Sequence, residues 1–327
     1  MIKHKILKIS HPAGWEDSYS GHWNYYNLTP GNKGFWKNYK IELNNSNCRE
    51  CDYWIIHEGI DNPESVTCAS ENVIFIPGEE RTQVLEYPQK YLDQFGTIIT
   101  SRDDLTHPVQ IRDQYLCSWQ VKKTYDDLIG QKEYLKSNDL SAVISNSTWL
   151  EGHKKRFAFT NKLKGHFKDR LDWFCKGENY IEDKWDGLAK YKYSICIENS
   201  SHLHYFTEKI MDSFLAGALP FYWGCPNISE YFPPESLIQI DVDNFKKSIN
   251  LIEQAIENKA YDDRLEHVLL AKELVLNKYQ IIPGIVRLLE ANQEVFHGRK
   301  RRINIRSKAS FTKKSMISKL ISKLRQV

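Results

Sequence analysis

The chain has 327 residues, room for two domains of ordinary size, and its 41% hydrophobic and 27% charged content describes a folded globular protein rather than a disordered one. No run of eighteen apolar residues occurs, so no transmembrane helix is expected. The net charge of +3 hides an asymmetry: residues 299–327 hold 11 of the 45 Lys and Arg and no acidic residue, leaving 34 basic against 42 acidic residues elsewhere, so a basic nucleic-acid-binding body is not expected.

Residues 5–9 (KILKI) read as a first strand, broken by His11, Pro12 and Gly14. The segment 15–36 is aromatic and loop-like, with Trp15, Tyr19, Trp23, Tyr25 and Tyr26, and suits either a carbohydrate face or irregular packing. Residues 52–57 (DYWIIH), 72–77 (NVIFIP) and 95–100 (FGTIIT) are short apolar strands separated by mixed segments, the signature of an α/β layer. Glu79 and Asp104 fall just past the ends of two of these strands, where ligand-facing residues of such sheets lie. The polar segment 122–139 is the expected domain boundary.

The second half alternates strand and helix. Residues 140–145, 171–174, 193–197, 219–223 and 236–241 read as strands of a doubly wound domain. Helices are expected over 149–163, 245–256, 262–276 and 285–296. Between the third and fourth of these strands Thr207 caps a helix whose apolar face is Ile210, Met211, Phe214 and Leu215, with Gly217 as its stop. A helix N-terminus favours an anion, and Lys209 stands in its first turn, where the dipole disfavours a cation unless an anion is bound. A solvated lysine is equally compatible with the local sequence.

Neither GxGxxG after a strand nor GxxxxGK[ST] occurs, which removes the two commonest phosphate loops. Cys48-Arg-Glu-Cys51 is an unpaired CxxC, His202 and His204 have no third ligand nearby, and Asp241-Val242-Asp243 follows the last strand of its domain, so no metal site is expected. Seven cysteines, an odd number, with no signal-peptide pattern at the start suggest reduced thiols and a cytoplasmic setting. Ile317, Leu320, Ile321 and Leu324, flanked by lysines, form a basic amphipathic pattern suited to an anionic membrane surface, with disorder and then nucleic-acid binding as the alternatives.

The runs YKYSICIENS (191–200), YFTEK (205–209), AGALPFYWG (216–224) and PNISEYFPPESLI (226–238) resemble, in order and spacing, the donor-binding region of the α-1,3-fucosyltransferases, glycosyltransferase family 10. The resemblance is close over 140–245 and thin over the first 130 residues. It implies a GT-B architecture of two Rossmann-like domains with an interdomain cleft: an acceptor domain over 1–135, a nucleotide-sugar domain over 136–297 and a basic tail over 298–327. It implies inverting transfer of L-fucose from GDP-fucose to a glycan hydroxyl, in α-1,3 or α-1,4 linkage, as in surface polysaccharide or lipopolysaccharide synthesis. No cofactor is required on this reading, a divalent metal being at most stimulatory. The partners are the nucleotide sugar, the glycan acceptor and, through the tail, the inner membrane face.

The same resemblance places Arg156 (from Ser145-Asn146…Arg156-Phe157) and Lys209 on the diphosphate, Glu208 on the ribose hydroxyls, Tyr205 along the donor pocket and Asn199 at the diphosphate or fucose. Glu79 of Phe75-Ile76-Pro77-Gly78-Glu79-Glu80 matches the family's general base, but Glu80 replaces the usual small polar residue, so Glu80 and then Asp104 remain alternatives. Glu198 suits either a structural or a ligand role. A same-fold transferase for another nucleotide sugar and an inactive nucleotide- or glycan-binding protein are the rival functions.

Overall fold

The computed structural model describes residues 4–12, 24–78, 86–148, 150–177 and 179–311. Its contacts divide the chain into two units, 1–113 with 285–327, and 114–284.

The first unit is built on a seven-stranded sheet in the order β2-β3-β1-β4-β6-β7-β8: β1 Lys5–Ser10, β2 Phe35–Trp36, β3 Tyr39–Leu43, β4 Tyr53–His57, β6 Val73–Ile76, β7 Thr97–Thr100 and β8 Gln110–Arg112. All neighbours are parallel except β2 and β3. Every residue of β4 and β6 is buried, as unbroken apolar runs in a parallel sheet covered on both faces should be. On one face Phe75 meets Tyr87, Tyr91 of α1 (Gln89–Leu92) and Phe95, the Phe75 and Phe95 rings stacking at 4.7 Å.

The second unit holds a five-stranded, wholly parallel sheet in the order β10-β9-β11-β12-β13: β9 Asn138–Val143, β10 Leu171–Phe174, β11 Tyr191–Ile197, β12 Leu219–Trp223 and β13 Ile238–Gln239. Its helices are α2 Tyr125–Gly130, α3 Glu151–Phe167, α4 Glu208–Leu215, α5 Phe245–Glu257 and α6 Ala260–Leu274. A π-turn, Val275–Tyr279, extends α6. The expected alternation of strand and helix is present, and α4 has the expected form. Thr207 Oγ1 accepts from the Lys209 N–H, and Ile210, Met211, Phe214 and Leu215 are buried.

The boundaries differ from those expected. Residues 114–135 belong to the second unit, not the first. Leu116, Cys117, Trp119 and Val121 are buried there, and the Gln120 and Val121 N–H groups donate to Asp212. The polar residues that suggested a linker include a capping box, Thr124 and Asp127, at the start of α2. At the other end, α7 (Ile281–Ala291) carries the chain back to the first unit, where Phe296 packs edge-on against Tyr53.

The expected tail is likewise corrected over its first residues. Arg301–Ile305 forms β14, paired antiparallel with β5 (Glu64–Cys68). Its arginines masked a period of two: Ile303 and Ile305 point into the hydrophobic core while Arg301 and Arg302 are exposed. The amphipathic pattern at 317–324 lies outside the described residues, as do Trp15, Tyr19 and Trp23. Among the described residues no helix is long and apolar enough to cross a membrane.

Candidate functional site

The strand order of the second sheet creates its site. From β9 the chain passes through α3 to β10 on one side, then places β11 on the other side of β9. The loops leaving the carboxyl ends of β9 and β11 therefore diverge, and crevices at such switch points are where open α/β sheets bind ligands. Ser145 lies in the first loop, Asn199 in the second and Arg156 on the helix between β9 and β10.

These three residues meet. Arg156 Nη1 donates to Asn199 Oδ1 at 2.6 Å and Nη2 to Ser145 Oγ at 2.9 Å. The guanidinium belongs to a buried residue, so its charge is held at the switch point rather than in solvent. The close approach of α3 to the Asn199 loop depends on Gly152, where an added Cβ would stand 1.7 Å from the Asn199 carbonyl oxygen.

Glu198 anchors the same loop from below. It is fully buried, and its carboxylate accepts the Thr207 N–H at 2.8 Å and the Thr207 hydroxyl at 2.7 Å. Its neighbour Gly224 has no room for a side chain, because a Cβ would lie 2.4 Å from Glu198 Cγ. Of the two roles left open for Glu198, the structural one is thus met, since it holds the cap residue of α4. Lys192, on the same strand, pairs with Asp262 at 3.4 Å.

Lys209 Nζ accordingly sits in a nest of acceptors: Thr207 Oγ1 at 3.0 Å, Glu198 Oε2 at 3.3 Å and Glu208 Oε1 at 3.4 Å. Glu208 also meets Lys184 at 3.5 Å. Burial works against its charge, but Lys209 and then Lys184 outweigh it and hold the Glu208 carboxyl down at about 2. It is therefore an ionised acceptor at neutral pH. One turn on, burial pushes the Asp212 carboxyl up to about 6, opposed by Lys184, which stands 3.2 Å away. Tyr205 is buried, its ring 5.8 Å from that of Tyr115.

The structure thus gathers Arg156 with Asn199, and Glu208 with Lys209, at the carboxyl edge of one sheet. His204 is turned into the loop, with Nδ1 2.6 Å from Tyr231 Oη and 3.0 Å from Asn227 Nδ2. Asp243 pairs with Lys155 at 2.6 Å, and Lys155 Nζ lies 5.1 Å over Trp223. Lys155 is thus held by a carboxylate and a ring, and Lys154 pairs with the exposed Glu151 at 3.3 Å. Among the described residues no three His, Cys, Asp or Glu side chains gather as a metal-ligating group.

The first unit has its own switch point, between β1 and β4, since the chain goes from β1 to β3 on one side and to β4 on the other. Tyr25 of the aromatic segment stands there with His57 and Glu58, which sequence reasoning missed. Tyr25 Oη is 2.7 Å from His57 Nδ1 at the end of β4, and the His11 ring lies 5.6 Å from that of Tyr25. Glu58, next in the chain, is half-buried and takes a left-handed φ of 63°. Its carboxyl packs on Gly78, where a Cβ would be 3.0 Å from Glu58 Cδ. The available signal was the pair His57-Glu58 at the end of an apolar strand.

Glu79 and Glu80 lie outside the described residues. Gly78, just before them, is fixed by its N–H donating to Tyr87 Oη at 2.9 Å. Asp104 is gripped on both oxygens by Arg102, at 2.9 and 2.8 Å, which suits an ion pair better than a proton acceptor.

Residues 135–264 match the family model of the glycosyltransferase family 10 (fucosyltransferase) C-terminal domain. Over 194 residues the chain is 36% identical to the alpha-(1,3)-fucosyltransferase FucT of Helicobacter pylori, covering 54% of this chain and 38% of that enzyme. It is 33% identical over 69 residues to an alpha-(1,4)-fucosyltransferase of Arabidopsis thaliana, covering 20% and 17% of the two chains. These alignments span well under two thirds of the curated relatives they match. A solved alpha1,3-fucosyltransferase structure with GDP-fucose superposes with a TM-score of 0.50 at 19% identity, covering 86% of this chain and 94% of that one. That likeness gives the fold as GT-B, two Rossmann-like units, as expected from the sequence. The family match falls on the strands and loops that build the Arg156–Asn199 switch point, so this stretch of the chain is similar to the C-terminal domain of glycosyltransferase family 10.

Proposed function

We propose that the protein transfers L-fucose from GDP-fucose to a hydroxyl of a glycan acceptor, with inversion, in α-1,3 or α-1,4 linkage. The observation that carries this is the convergence of Arg156, Asn199, Glu208 and Lys209 at the carboxyl edge of a sheet lying within the family 10 match. The leaving GDP gains negative charge as the sugar bond breaks, and fixed cations stabilise it. Arg156 presents a fork of donors, and Lys209 a point charge that exchanges part of its carboxylate contacts for phosphate oxygens. The ionised Glu208 accepts the ribose hydroxyls, and Tyr205 lines the pocket. The acceptor binds through the first unit, whose switch point offers Tyr25, His57 and Glu58. Glu79, which follows β6 in the sequence, takes the acceptor proton, with Glu80 as the alternative.

Mixing the protein with GDP-fucose and a galactosyl-N-acetylglucosaminide should release GDP and yield a fucosylated product. Glu79→Gln should lower the rate about a hundredfold or more while GDP binding persists. GDP release only from another sugar nucleotide would replace the donor, and nucleotide binding without turnover on any glycan would leave a binding protein.

The product belongs to a surface polysaccharide or lipopolysaccharide, and the protein works in the cytoplasm with its basic C-terminus against the inner membrane face. Truncation after Phe311, which spares β14, should then abolish co-sedimentation with vesicles containing anionic lipid and leave GDP binding intact. Undiminished sedimentation would remove the membrane contact from the tail.

A further inference from the structure

Two turns of α3 present His153 and Arg156 three residues apart, on one face. His153 is buried, and its Nδ1 lies 3.3 Å from Ser147 Oγ in the loop after β9. The face they share is the one that Gly152 brings against Asn199, whose side chain Arg156 holds. We propose that His153 is a third cationic group of the diphosphate site, neutral in the free protein and protonated when the donor binds. This rests on the donor reading given above.

The charged groups around the imidazole support that switch. Arg156 stands on its own helix and Lys209 on α4, and both repel a proton. Glu198 and Glu208 are already paired with Lys209, while Glu151 is exposed and bound to Lys154. Burial first, then Arg156 and Lys209, hold the imidazole below its usual 6.5. A diphosphate placed between Arg156 and Lys209 brings two negative charges to this cluster. It cancels the repulsion and favours imidazolium. The proton comes from solvent to the imidazole as the donor binds and returns to solvent when GDP leaves. His153 thereby adds positive charge when the leaving group needs it, and leaves the empty site without a third cation beside Arg156 and Lys209.

The sign follows from linkage. A group whose pKa rises on binding makes binding tighter as pH falls through the bound value, and the gain levels off below the free value, which lies under 6.5. GDP-fucose is the suitable probe, because its diphosphate is esterified at both ends and keeps its charge across this range. Titrated calorimetrically without acceptor, the wild type should bind GDP-fucose about three- to tenfold more tightly at pH 5.5 than at pH 8. It should also take up a fraction of a proton, read from buffers of different ionisation heat. His153→Gln should bind with an affinity flat across that range and no proton uptake, while its melting temperature at pH 8 stays near that of the wild type. If that variant does not fold, His153→Asn carries the same test. Equal pH dependence in wild type and variant, or a flat wild type, would overturn the assignment. Failure of the wild type to bind GDP-fucose at any pH would instead overturn the donor reading on which it rests.

Discussion

Arg156→Ala should weaken GDP-fucose binding by about two orders of magnitude, measured by calorimetry well below the melting temperature of the variant. Truncating one partner of a buried, hydrogen-bonded charge pair typically costs about 2–5 kcal/mol, and about 3 kcal/mol corresponds to roughly 150-fold in Kd. Arg156 is buried and already spends two of its donors on Asn199 and Ser145. Its removal should therefore subtract a positive charge facing the phosphates and also release the Asn199 side chain from its guanidinium contact. Lysine at this position should recover little, because a single ammonium cannot bridge Asn199 and Ser145 while facing a phosphate. Unchanged affinity in the alanine variant would sink the phosphate assignment.

Glu198→Ala should destabilise the second unit by about 3–5 kcal/mol, the usual cost of removing one member of a buried ion pair. The carboxylate is fully buried, holds the Thr207 N–H and hydroxyl and faces Lys209 at 3.3 Å. Without it the cap of α4 loses its anchor, and Lys209 loses one carboxylate while keeping Glu208 and Thr207. A melting temperature lower by roughly 10 °C is the expected reading for a unit of this size. Glu198→Gln keeps an acceptor for the Thr207 N–H and should fall between the two. If Glu198→Ala melts with the wild type but fails to bind nucleotide, the carboxylate is a ligand group and its anchoring role is wrong.

The two variants separate what the site does from what holds it. Arg156 and Glu198 are 42 positions apart in sequence yet act on one loop: Arg156 grips Asn199 from α3, and Glu198 fixes the other end of that loop at Thr207. The loop between β11 and α4 is held at both ends, which keeps Asn199, Glu208 and Lys209 in place before any ligand arrives. That is the preorganisation on which stabilising a developing charge depends.

Much of this was legible before the structure. Short apolar runs and a period near 3.6 identified the strands of the second sheet and the buried face of α4, because backbone hydrogen bonding and side-chain alternation are local and leave a local pattern. Thr207 at the cap was readable for the same reason. The candidate donor residues sit in contiguous motifs, which is why the sequence could propose them. Where charge interrupted the pattern the reading failed: β14 was hidden by Arg301 and Arg302, and the capping box of α2 passed for a linker.

The tertiary structure alone decided which distant residues meet. That Arg156 reaches Asn199, that β14 returns more than two hundred positions to pair with β5, and that His57 finds Tyr25 depend on strand order and chain crossover, which no short window contains. Burial decided the electrostatics. Glu198, Glu208, Asp212 and His153 have ordinary side chains, and only their removal from water beside Lys184, Lys209 and Arg156 makes one an anchor, one a firm anion, one a weak acid and one an imidazole short of a proton. The sequence by itself determined the strands and helices of the second unit and the residue types gathered along its loops. The fold determined their distances and charge states, because Coulomb energies depend on separation and local dielectric rather than on order along the chain.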